Sequence, residues 1–143
     1  MEVLDEVVSQ TLEAMAFMVV TRAEGDNACL SSDSLYCSKV EIKEPVSGEF
    51  ELIMEESSAN NLAKTVFASD LGGEELAAAA SDLLAEFANT MAGRLAGELG
   101  SKEQPVALGL PIMERRSFDS SEDCVFYAFE DGRCFGVSCK VQS

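Results

Sequence analysis

The sequence predicts an α+β fold, with helices packed on one side of a largely antiparallel sheet. Three observations carry that expectation. Apolar residues recur at helical spacing near the start and again along 74–98. Strand-like runs at 35–44 and 48–56 are joined by a short turn. Near the end, "EDGR" links two more runs, and Asp-Gly is a strong hairpin signal. With 143 residues the chain is read as one domain, 1–143, large enough to build a core without disulfides or metals.

Each element follows in order. Val3, Val7, Leu12, Met15 and Val19 recur at roughly helical spacing, so a first helix is expected over 3–19. "RAEGDNACLSSDS" is a loop by composition. In "LYCSKVEIKE" and "GEFELIMEE" the pattern turns strand-like, with Phe50, Leu52 and Met54 alternating with Glu49, Glu51 and Ile53. Pro45 and Gly48 make "PVSG" the hairpin connection. Ser57 or Ser58 should cap a short helix through Phe67, with Leu62, Val66 and Phe67 facing inward. "ASDLGG" breaks it, and a long helix from Glu74 to Glu98 stops at Gly100. Strands are then expected at Val106–Leu108, Ile112–Arg116, Cys124–Phe129 and Cys134–Val141.

Composition limits function. The net charge is −16, from 26 acids against 10 bases, which repels phosphate backbones and excludes nucleic acid as a partner. The opening "MEVLDEVV" is acidic and predicts no secretory leader. The apolar run Ala14 to Val20 is far too short to insert into a membrane. A soluble, cytoplasmic protein is the expectation. With no histidine, Cys–His and Ser–His–Asp catalysis are excluded. Cys29, Cys37, Cys124, Cys134 and Cys139 lack CxxC spacing and are read as small buried hydrophobes in a reducing compartment, without zinc or a disulfide framework.

The long helix carries the chemistry. At ~100° per residue, Leu84, Phe87, Met91 and Leu95 share one side. Asp82, Glu86, Asn89 and Gly93 fall on the opposite side, flanked by Ala85, Ala92, Ala96 and Gly97. A face trimmed to small residues, with an acid and an amide standing from it, suits docking against another protein.

Asp82, Glu86 and Asn89 form D-x3-E-x2-N, and Pro111 follows 22 residues after Asn89. Ordinary residue frequencies produce this combination in roughly one chain in a thousand of this length. The pattern resembles the [DS]-x3-E-x2-N-x21-P signature of the CheC/CheX/FliY family of chemotaxis phosphatases. A weaker copy occurs earlier, where Ser9 and Glu13 take the places of Asp82 and Glu86. There Ala16 replaces the asparagine and Ser38 the proline, so the chain resembles the single-site CheX type. The resemblance implies a CheC/CheX-like domain that hydrolyses the phosphoryl-aspartate of a CheY-like response-regulator receiver.

In that role Asn89 orients the attacking water and Glu86 pairs with a receiver lysine. Asp82, Gly93 and Pro111 border the partner contact. The resemblance places Mg²⁺ on the receiver and no metal or other cofactor on this chain. It also implies a homodimer formed through the sheets, and the closing run "RCFGVSCKV" reads as a strand edge with few guarding charges. Two other readings stay open: a non-catalytic receiver-binding or flagellar-switch adaptor, and a regulatory module in a non-chemotactic pathway.

Overall fold

The computed structural model of the chain describes residues 2–23, 30, 34–67, 72–100, 103–117 and 124–142. Among these residues three helices, α1 (Glu2–Ala16), α2 (Glu56–Phe67) and α3 (Gly73–Leu99), accompany seven strands. The strands are β1 (Val20–Arg22), β2 (Leu35–Glu44), β3 (Ser47–Glu55), β4 (Ala107–Leu108), β5 (Ile112–Arg116), β6 (Val125–Phe129) and β7 (Cys134–Gln142). They form one sheet in the order β1-β6-β7-β3-β2-β4, with β5 also paired to β2, and every pairing is antiparallel. The α+β expectation matches this architecture.

Strand alternation explains how the sheet presents two faces. Tyr36, Val40, Ile42, Phe50, Leu52, Met54, Phe135 and Val137 point to one side and meet Leu4, Val8, Leu12, Leu62, Leu84, Phe87 and Met91 of the helices in the main core. The alternate positions Leu35, Cys37 and Ile53 form a second, smaller cluster with Leu30, against which Cys124 and Phe126 pack. Gly136 makes room for it, since a β-carbon there would meet the Leu30 Cδ1 at 3.1 Å. Beside this cluster, the buried Glu51 pairs with Arg116, and Lys39 lies 3.8 Å from it. The second face is therefore partly apolar and partly ion-paired.

Several expectations need correction. The first helix ends at Ala16, three residues early, because Phe17 turns into the left-handed region at φ 55°. Its N–H still reaches the Glu13 carbonyl at 3.1 Å. The β-branched run that follows leaves the helix and pairs as β1, with Val20 opposite Phe129. Arg22 closes the arrangement by an ion pair to Asp5 at 2.9 Å, and the Tyr127 hydroxyl donates to the same carboxylate at 2.6 Å. As a result Val3 and Val19 are exposed, and Leu4, Val7, Val8 and Leu12 form the buried stripe. Ser57 and Ser58 are not caps. Strand β3 runs directly into α2 at Glu56, whose N–H is taken by the Ser34 carbonyl at 3.2 Å. Phe67 is exposed and Val66 half-buried, leaving Leu62 as the inward anchor.

Two further corrections concern the cysteines and the last strand. Cys134 is disulfide-bonded, whereas Cys37, Cys124 and Cys139 are in no disulfide; Cys29 lies outside the described residues. Strand β7 is interior over Phe135–Val137, held between β6 and β3. Among the described residues, Ser138–Gln142 pairs with β3 alone and Cys134 with β6 alone. No helix among the described residues is long and apolar enough to cross a membrane.

Candidate active site

Helix α3 follows from its composition. Its first half is alanine-rich, and Glu74 and Glu75 in the first turn favour the positive end of the helix dipole. Leu76, Leu83, Leu84, Phe87, Met91 and Leu95 are buried against the sheet. On the far side Asp82, Glu86 and Asn89 are exposed and Gly93 is half-buried, as the helical spacing predicts. One turn of helix separates Glu86 from Asn89, so both side chains rise from the same patch. Among the described residues neither is tied by a hydrogen bond or an ion pair, and both are free to engage a partner.

One flank of this face is made by the chain from β4 to β5. Ile42 stands opposite Leu108, and Lys39 opposite Ile112, so three steps along β2 face four along the other chain. The Gly109 N–H bonds the Glu41 carbonyl at 2.8 Å, so the extra residue falls at Leu110–Pro111. This is a β-bulge, and a proline fits it because the ladder there asks for no N–H. Pro111 is half-buried and Leu110 is 88% exposed.

The bulge sits at a definite height along α3. A β-carbon added to Gly93 would meet the Leu108 Cδ1 at 3.6 Å, which places that end of the flank. At the other end Met113, Glu114 and Arg115 line a groove of about 300 Å³ with Tyr36, Ala77, Ala78 and Ser81. From Ser81 to Gly93 the helix rises ~18 Å. From Leu108 to Met113 an extended chain spans ~17 Å. The two run antiparallel and in step, so the bulge lies beside Glu86 and Asn89. The x21 spacing thus joins residues that this register sets level with one another, on the helix and on its flank.

A β-carbon at Gly93 would make only ordinary contact with Leu108, so packing along this flank does not itself require a glycine there. Within the groove the Arg115 guanidinium donates to the Tyr36 hydroxyl at 2.7 Å and to Glu56 at 3.3 Å. Sequence reading missed Leu110 and this arginine. An uncharged run from Gln104 to Met113 in so acidic a chain was the available signal.

The weaker motif copy gathers no comparable group. Glu13 is exposed on α1, but Ala16 is buried, and the Ser9 hydroxyl donates to the Glu6 carbonyl at 3.2 Å. Ser38 lies fully buried on β2 with no partner for its hydroxyl. Among the described residues no three His, Cys, Asp or Glu side chains gather as metal ligands.

Comparisons with known proteins bear on this arrangement. A family model described as chemotaxis phosphatase CheX matches residues 36–129, about two-thirds of the chain, including the helix and its flank. No functionally curated protein matches. Among solved structures, the CheX in the Borrelia burgdorferi CheX–CheY–BeF3–Mg²⁺ complex is similar, at 16% identity and a TM-score of 0.75 over 99% of this chain and 97% of that one. CheX from Desulfovibrio desulfuricans aligns at 13% identity and 0.72, over 99% and 97%. Thermotoga maritima FliY aligns at 17% and 0.62, over 99% and 84%. At such identities the structures speak for the fold, and the family model for descent: the chain belongs to the CheX family of chemotaxis phosphatases.

Proposed function

We propose that this chain hydrolyses the phosphoryl-aspartate of a CheY-like receiver domain, ending a chemotaxis signal. The supporting observation is the pairing of Glu86 and Asn89, exposed one turn apart on α3 and without partners among the described residues, with Pro111 beside them. Family membership and the fold shared with a CheX seen in complex with CheY support the same reading.

An acyl phosphate is already reactive, so catalysis consists mainly of placing water in line with the leaving oxygen. The Asn89 carboxamide can accept a hydrogen bond from that water and donate one to a phosphoryl oxygen while remaining neutral. As the new P–O bond forms, the bond to the aspartyl oxygen breaks, releasing the carboxylate and inorganic phosphate. Glu86 anchors the complex through a charge-assisted pair with a receiver lysine. Mg²⁺ belongs to the receiver, as the composition of the Borrelia complex supports. This reading places the chain in the cytoplasm. The net charge of −16 gives no long-range pull toward an acidic receiver site, so the complex is transient and rests on local fit.

The test separates chemistry from binding. Asn89→Ala should lose most of the dephosphorylation rate while still binding phosphorylated receiver, because the Glu86 pair survives. Glu86→Lys should lose binding by setting like charges together. Full activity in Asn89→Ala would sink the mechanism. Equal loss of binding in both variants would reduce the face to an adaptor surface.

A further inference from the structure

We propose that Leu110, thrown outward by the bulge at Leu110–Pro111, is the apolar anchor by which the phosphorylated receiver is held against α3. The inference rests on the proposed function for its partner and adds a residue that the family signature does not contain. Three observations carry it. Leu110 is 88% exposed, although a leucine in water forfeits its burial free energy and a register without the bulge would have continued the ladder. The bulge stands level with Glu86 and Asn89, as the two contacts that bracket it require. The run from Gln104 to Met113 carries no charge in a chain of 36 charged residues, so its margin offers apolar contact where the rest of the molecule offers acids.

Geometry decides the occupant. A specific protein partner covers about 800 Å² of surface, a disc roughly 16 Å in radius. Helix and flanking strand pack at about 10 Å. A receiver footprint centred on Glu86 and Asn89 therefore also reaches Leu110. Apolar anchors surrounded by polar groups that exclude water carry a disproportionate share of binding energy. Here that contribution replaces the long-range attraction which the net charge denies.

The experiment is steady-state dephosphorylation of CheY-type receivers, with binding to the beryllofluoride-loaded receiver measured in parallel. Leu110→Ser should raise KM and Kd together by about tenfold to a hundredfold, the range that burial of a leucine side chain produces, with kcat within twofold. Leu110→Met should retain wild-type values. Phe17→Ser, which removes a side chain 91% exposed at the end of α1, should change neither. Unchanged KM and Kd in Leu110→Ser, with wild type active, would overturn the anchor and leave the phosphatase reading intact. A wild type that binds in a Leu110-dependent way but hydrolyses nothing would uphold the anchor and remove the hydrolase. A wild type that neither binds nor hydrolyses would overturn both.

Discussion

Cys37 shows how a single side chain sets a response to pH. Burial first, and then the Glu51 carboxylate, pushes its thiol up to about 12 from an ordinary value of 9.0, while Arg116 opposes the shift. Burial and the hydrogen bond to Asp5 likewise push Tyr127 above its usual range. Both groups hold their protons more tightly folded than unfolded. Their contribution is complete below the unfolded pKa, near 9 for the thiol, and is lost as pH rises through the folded one. The urea midpoint should therefore be flat through neutrality and fall above about pH 9, less steeply in Cys37→Ser; a midpoint unchanged at pH 11 would contradict it. At the same scale, Glu13 tests the location of the site. It is exposed, but the residue one turn on is the buried Ala16, which has no amide to hold water. Glu13→Ala should keep dephosphorylation near the wild-type rate, and a large loss would mean that the chemistry belongs to α1.

Among the elements, α3 owes its end to packing. Gly100 is its C-cap at φ −106°, an ordinary extended conformation, so the left-handed turn that usually recruits glycine is not the reason for it here. A β-carbon at this position would run into the Pro45 ring of the turn between β2 and β3. Gly100→Ala should therefore destabilise by about 1–3 kcal/mol through overpacking, read by urea unfolding, where an unchanged midpoint would show that the turn yields. The contrast marks what the sequence could tell. Helix α3, β2, β5 and the faces of Glu86 and Leu84 were legible because local periodicity acts within a few residues. Strand β1 was not, although Val19, Val20 and Thr21 are β-branched, because its partner β6 lies about a hundred residues away. The serine caps failed because β3 passes into α2 without a loop and Ser34 supplies the acceptor from elsewhere. Leu110 was hidden for the same reason: a bulge exists only in the register between two strands.

For the whole molecule, the expectation of a homodimer through the sheet becomes a narrower proposal. The interior placement of Phe135–Val137 removes that part of β7 as a pairing edge, and Ser138–Gln142 carries Lys140 as a guard. Two copies would then have to meet along this shorter stretch, at the three-residue β1, or along β4 and β5 at the opposite edge of the sheet. Sedimentation at tens of micromolar should give twice the chain mass, and a monomer mass there would count against pairing.

The central position of β7 also governs the order in which this protein can come into being. Strand β3 emerges from the ribosome early, and its second neighbour is made some eighty residues later. Until then β2 and β3 form a hairpin open on one side, with Phe50 and Leu52 lacking part of their cover. Strand β6 and its partner β1 stay detached from that hairpin, since β7 is the strip that joins them. Closure of this sheet thus waits on β7. A nascent chain stalled before Cys134 would hold two half-sheets with unpaired edges, the form in which it is most exposed to proteases and to its own kind.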